Sequence, residues 1–311
     1  MKLLFVLLHL LMMAQAFTAQ AQNFPNKTVR IIVPFPPAGG ADTLARVMAP
    51  QLSALWGQQV VIENKPGASG HIGADYVAQS LPDGHTLLMA STAALNEKNT
   101  PQFASISLVS ASSYVVTVNA TLGVSTIREL VAMAKANPGK LSFGSSGAGS
   151  ASHLTAELFK AQAGVDLLHV PYKGTGQALS DLVSGQISLM FAPAQTVMQH
   201  VQAGRLKALA VTSSKRSAIM PLIPTVAESS VPNYAAVGWF GLLAPAATPK
   251  AVINKISADA SKVLTQKETR DKLIALGSEP ESSSPEAFAI FIKEDQAKWA
   301  KLMREQGIKG E

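Results

Sequence analysis

Extended runs that end in small-residue loops and then open into helices recur along this chain, and that repeat constrains the fold more than any single motif. Thr28-Val-Arg-Ile-Ile-Val33 is a β-branched run ending in Pro34-Phe-Pro-Pro-Ala-Gly-Gly40, after which Leu44, Val47, Met48, Leu52 and Leu55 recur at helical spacing. Residues 60–62, Gly67-Ala-Ser-Gly70 and a helix to Ser80 repeat the pattern, and residues 86–89 lead into Ala90-Ser-Thr92. In the second half, residues 141–143 lead through Gly144-Ser-Ser-Gly-Ala-Gly-Ser150 into a helix. Residues 167–170 do so through Pro171-Tyr-Lys-Gly-Thr-Gly176, and residues 187–191 through Ala192-Pro193. Strands alternating with helices predict parallel or mostly parallel sheets. The length predicts two of them, because one hydrophobic core serves about 100–200 residues.

Residues 114–118 and 237–243 are apolar extended runs that flank the second set of units, and they are expected to cross between lobes. The expected fold is α/β, a two-lobed clamshell with two inter-lobe crossing segments. Lobe 1 is discontinuous, residues 22–117 plus 243–311, and lobe 2 is residues 118–242. Helices near residues 249–264, 268–276 and from 285 onward are expected to pack back on lobe 1.

The N-terminus specifies a compartment. Lys2 precedes an apolar run over residues 3–13 and small residues ending in Ala19-Gln-Ala21, the pattern of a secretory signal peptide with cleavage expected after Ala21. The chain has no cysteine, so it carries neither a lipobox thiol nor a disulfide, and a soluble periplasmic protein is expected. The formal charge of +6 is spread along the chain, with Lys215-Arg216 its one basic doublet. No stripe of Lys and Arg interleaved with aromatics suits nucleic acid.

In open α/β sheets ligands bind beyond the carboxyl ends of the strands, where these loops stand. Gly and Ala leave backbone N–H groups uncovered, Ser and Thr add hydroxyls, and helix N-termini add partial positive charge, so the loops suit a carboxylate or phosphate. At about 1.5–3 kcal/mol per charge-assisted hydrogen bond, three or four donors support micromolar binding. Any one loop can equally be a tight turn: Gly39 and Gly40 can serve positive φ, Ser150 or Ser152 can cap a helix, and Asp42 can be a helix-terminus charge. Enzyme motifs fail residue by residue. Gly144-Ser-Ser146-Gly-Ala148 has Ala where the nucleophile elbow needs Gly, and Gly147-Ala-Gly149-Ser-Ala-Ser152 lacks the third glycine of a dinucleotide loop. His153 and Glu157 stand one helical turn apart without a third ligand, which favours a helix-surface or capping role over a metal. The other histidines are scattered.

Val33-Pro-Phe-Pro-Pro-Ala-Gly-Gly-Ala-Asp42, Glu63-Asn-Lys-Pro-Gly-Ala-Ser-Gly70 and Leu81-Pro-Asp-Gly84, in this order and spacing, resemble the Bug-type receptors of tripartite tricarboxylate transporters. The resemblance continues through residues 144–154, Val170-Pro-Tyr-Lys-Gly174, Asp181-Leu-Val-Ser-Gly185, residues 204–212 and Ile223-Pro-Thr-Val-Ala-Glu228. It implies a periplasmic receptor of the type II binding-protein architecture, monomeric, without cofactor or metal, that closes on a small carboxylate and presents it to a membrane permease. By that resemblance Ala38, Gly39, Gly40, Asp42, Ser69 and Gly70 hold the ligand in lobe 1, with Ser91 and Thr92 nearby. Ser145, Ser146, Gly147, Ser150 and His153 meet it from lobe 2. Tyr172 lies on the same rim as a ligand contact or a packing residue. Ala192 stands where many relatives carry aspartate, which favours a dicarboxylate, tricarboxylate or aromatic acid over an amino acid. Residues 95–107 lack the customary tyrosine, aspartate and proline sequence, and Phe240 replaces the commoner tyrosine. Two alternatives stay open: a solute sensor reporting to a membrane kinase, and a periplasmic serine hydrolase built on Ser146 with a histidine.

Overall fold

The computed structural model of the chain describes residues 24–37 and 39–308. The expected leader at residues 1–21, and Ala38 of the first loop, lie outside the described residues. The chain divides into two compact units. Unit 1 takes in the described residues to Val109, Phe240–Thr269 and Ser282–Phe291; unit 2 takes in Ser110–Trp239, Arg270–Glu281 and the described residues from Ile292 onward.

In unit 1, β1 (Val29–Val33), β2 (Val60–Asn64) and β3 (Thr86–Ala90) run parallel in the order β2-β1-β3, and β9 (Val237–Pro245) joins β3 antiparallel through Leu88↔Leu243. β3 is buried throughout, and so are Val29, Ile31, Ile32 and Val33 of β1, as strands covered on both faces require. α1 (Gly40–Trp56) buries Leu44, Val47, Met48 and Leu52, the stripe expected from the spacing, whereas Leu55 is 37% exposed. α2 (His71–Ala78) follows β2.

Unit 2 repeats the plan. β5 (Ser142–Ser145) is parallel to β6 (Leu168–Pro171) and β7 (Leu189–Pro193), while β4 (Phe103–Asn119) lies antiparallel to β7 and to β8 (Leu206–Val211). α3 (Ile127–Ala136) leads into β5, α4 (Ala151–Ala163) leaves it, α5 (Thr175–Ser184) follows β6, and α6 (Ala194–Gln202) follows β7. α7 (Val226–Ser229) is a single turn closed by a capping box, Thr225 with Glu228. Each unit thus holds parallel strands plus one antiparallel strand, and that strand belongs to a crossing segment: the chain leaves unit 1 within β4 after Val109 and returns within β9 after Trp239.

The C-terminal helices depart from expectation. α8 (Lys250–Thr265) lies in unit 1, but most of α9 (Lys267–Ala275) belongs to unit 2, and α10 (Pro285–Glu305) divides. Phe288 of α10 is buried in unit 1, whereas Trp299 and Leu302 join the core of unit 2 around Phe143, Phe159 and Phe191. The reason is length, since 21 residues at about 1.5 Å each exceed what one small core covers. Among the described residues, no helix is long and apolar enough to cross a membrane.

Candidate functional site

Because β1, β2 and β3 are parallel, the loops that leave them stand at one edge of the unit 1 sheet. Gly39 is the N-cap of α1 and offers no side-chain hydrogen bond to the first-turn amides of Gly40 and Ala41. Gly39 has φ −79° and Gly40 is helical, so neither glycine serves positive φ. What Gly40 provides is room, because a Cβ there would stand 3.0 Å from the Phe240 ring.

Asp42 is 3% exposed, and its carboxylate holds the loop together. Oδ2 accepts from Arg46 Nε at 2.8 Å and Oδ1 from Asn64 Nδ2 at 2.9 Å, while Asn64 Nδ2 also donates to the Phe35 carbonyl at 3.1 Å. This geometry makes Asp42 a brace between α1, the end of β2 and the first loop. The second loop carries a run of positive φ, Gly67 at 132°, Ala68 at 46°, Ser69 at 54° and Gly70 at 100°. Two non-glycine residues in the left-handed region cost about 1–3 kcal/mol each, a strain typical of ligand-facing loops. Ser69 is exposed and Gly70, the uncapped N-cap of α2, is buried where a Cβ would stand 3.0 Å from Ala94 Cβ and 3.2 Å from the Phe35 ring. Ser91 and Thr92, half-buried at the end of β3, complete the group. The segment after them closes on itself: Asn96 Oδ1 accepts from Lys98 N and Asn99 N, and Asn99 Nδ2 donates to the Ala94 carbonyl.

The unit 2 loop after β5 is tied internally. Ser146 N donates to Ser152 Oγ at 3.0 Å, Gly147 N to Ser145 Oγ at 3.2 Å, Gly149 N to His153 Nδ1 at 3.0 Å and Ser150 N to Gly147 O at 3.2 Å. Gly147 at φ 139° and Gly149 at φ 73° make the turn. Ser150 is the N-cap of α4, its Oγ accepting from His153 N, which settles between the two serines weighed for that role. The amides of Ser146 and Gly147 are therefore spent within the loop. The Ser150 hydroxyl donates to Gly147 O at 2.7 Å, so the donors the loop presents are the half-buried Ser146 hydroxyl and the amides of Ala151 and Ser152, which precede any intrahelical acceptor.

Ser145 is fully buried and its Oγ lies 2.7 Å from His169 Nε2. His153 is 6% and Glu157 5% exposed, so of the expected helix-surface or capping role the surface half fails, while His153 Nδ1 accepts the Gly149 amide at the start of α4. Burial alone would raise the Glu157 carboxyl, but His153 and Lys160, whose Nζ is 2.9 Å away, outweigh it and hold it below the ordinary range. The link from Ser145 to His169 escaped the sequence reading because the two residues sit on neighbouring strands 24 positions apart; a strand-pairing register would have found it.

The Tyr172 hydroxyl is engaged, donating to Asp181 Oδ2 at 2.7 Å; desolvation and Asp181 push it up to about 12. Its backbone N–H donates to Ser145 O. Ala192 is fully buried, and its methyl packs with Ala178, Leu182 and Val197, so it presents no polar group. Ser146 Oγ lies 3.2 Å from Ser152 Oγ rather than beside a histidine. Among the described residues, no cluster of three or more His, Asp and Glu could hold a metal ion.

Parallel strands with one antiparallel partner in each of two units, and donor-bearing loops at the strand ends, define the α/β class of periplasmic solute-binding proteins, and solved members of that class share this fold. The chain belongs to the tripartite tricarboxylate transporter family of receptors, whose family model matches residues 44–308. Its similar relatives include BugT of Bordetella pertussis, 34% identical with 94% of each chain covered. An R. palustris protein solved with adipate is 31% identical, with a TM-score of 0.75 over 92% of this chain and 99% of that one. MatC from Rhodopseudomonas palustris, with bound malate, is 29% identical, with a TM-score of 0.71 over 90% of this chain and 99% of that one. The family is one of periplasmic solute-binding receptors, not of enzymes.

Proposed function

We propose that this chain, exported and cleaved after Ala21, captures a small dicarboxylate, tricarboxylate or aromatic acid and presents it to the membrane permease of a tripartite tricarboxylate-type transporter. The observation that carries the reading is the N-terminus of α1, whose N-cap Gly39 offers no side-chain oxygen, standing beside the positive-φ loop that opens α2, at the ends of adjacent parallel strands. Amides without a capping oxygen are matched to a carboxylate by charge and by hydrogen-bond type. In unit 1 the proposed contacts are Ala38, the amides of Gly39 to Ala41, Ser69, Gly70, Ser91 and Thr92. In unit 2 they are the Ser146 hydroxyl and the first-turn amides of α4, which Ser150 holds in place. The structures solved with adipate and malate support the carboxylate class.

A thermal-shift screen of residues 22–311 against mono-, di- and tricarboxylates, aromatic acids and amino acids, with sugars and phosphate as controls, tests the reading. A ligand at about a hundred times its dissociation constant stabilises by roughly 2.7 kcal/mol. A shift confined to one carboxylate class is the expected result; a shift with sugars alone, or none with any acid in protein shown by native mass spectrometry to be ligand-free, would sink it.

A further inference from the structure

Beneath the loop between β5 and α4 lies a column of rings that carboxylate capture does not itself require. Phe143 on β5, His169 on β6 and His153 on α4 stack nearly parallel: the imidazole centroids are 3.8 Å apart at 12°, and Phe143 lies 4.8 Å from His169 at 19°. Each imidazole holds a different part of the loop. His169 Nε2 meets Ser145 Oγ, the atom that accepts from Gly147 N–H, and His153 Nδ1 accepts from Gly149 N–H. An accepting Nδ1 carries no proton, which assigns the proton of the His153 ring to Nε2, 3.7 Å from Glu157 Oε1.

A second proton on His153 would point Nδ1–H at Gly149 N–H, and a charged His169 would face its neighbour at stacking distance. The groups facing His169 are His153, Glu157 and Lys160 of α4, with Ser145 and Phe143 of β5. Burial and His153 outweigh the opposite pull of Glu157 and press His169 down to about 4.

We propose that His153 and His169 are positioning residues: as a neutral pair they hold the β5–α4 loop in the form that presents Ser146 and the first turn of α4, and charging the pair releases it. The consequence for carboxylate affinity rests on the receptor reading above; the hold on the loop does not.

The test follows the ¹⁵N-labelled mature chain by NMR from about pH 7.5 down to about 4 without added acid, alongside adipate and malate titrations. The Gly147 amide is expected to move with the His169 ring resonances and the Gly149 amide with those of His153, while core amides such as Leu209 stay in place, and His169→Gln removes the Gly147 step. His153→Leu is expected to displace the Gly149 amide and to weaken whichever of adipate and malate binds the wild type by about tenfold or more. His153→Asn, which returns an acceptor near the Nδ1 position, recovers most of that loss. The ratio of wild-type to His169→Gln affinity at each pH cancels protonation of the acid itself. Loop amides that ignore the titration of the rings would overturn the proposal, as would a wild-type Gly149 resonance in His153→Leu. If neither adipate nor malate binds while the loop amides still follow the rings, the receptor reading fails for these acids and the hold on the loop stands.

Discussion

The loop after β1 and the loop after β5 occupy equivalent places, each leaving a parallel strand and opening the first long helix of its unit. They solve the same problem in opposite ways. The β1 loop leaves α1 uncapped and is braced from below by one buried carboxylate, Asp42, acting through Arg46 and Asn64. The β5 loop caps its helix with Ser150 and consumes four of its own amides in a mesh of serines and one histidine. An open helix end leaves donors for an anion at the cost of unsatisfied amides in the empty protein, whereas a self-bonded loop is ordered before any ligand arrives and has fewer of its own donors left to offer.

The sharpest way to break this comparison is to remove the single brace. Asp42→Ala removes the buried charged acceptor shared by Arg46 and Asn64, leaving Asn64 on the Phe35 carbonyl and Arg46 on Asn64 Oδ1, and a loss of about 2–3 kcal/mol is expected by urea denaturation, with loss of carboxylate binding. Ser145→Ala, which removes one strand of a redundant mesh, is expected to cost only about 1–2 kcal/mol; equal losses would mean that the β5 loop also hangs on one residue. Acid should act on unit 2 through His169. In the unfolded chain its imidazole titrates near 6.5 and in the fold near 4, so between those values the unfolded state binds a proton that the folded state refuses. Its contribution is expected to be intact above about pH 6.5, to fall as pH drops toward about 4 and to level off below; wild-type and His169→Gln stability curves that run parallel through that window would contradict this. The smallest expected effect on stability is at the open end. Gly39→Ser supplies the missing cap and should stabilise the empty protein by a few tenths of a kcal/mol, while weakening carboxylate binding, because the new hydroxyl takes an amide meant for the ligand. Gain in both would remove the distinction between the loops.

Much of this was legible in the residues. The alternation of β-branched runs, small-residue loops and amphipathic stripes predicted the strands and helices, and Leu44, Val47, Met48 and Leu52 face the core as their spacing requires. The glycine and serine loops were found as candidate donors for the same local reason. Their hydrogen bonding was not legible. Which serine caps α4, that Gly39 and Gly40 avoid positive φ, and that the Ser146 and Gly147 amides are already spent depend on turn geometry that composition does not encode.

The sequence by itself determined the α/β grammar, the place of each loop at a strand end and the family, because those follow from local periodicity and from motifs in a set order. Only the tertiary structure decided that Asp42 is a brace, that Ala192 faces a core, that α10 serves both units and that His169 stacks on His153 beneath a loop formed by neither. These facts join residues tens of positions apart through strand register and helix packing, and no periodicity within one segment carries that information.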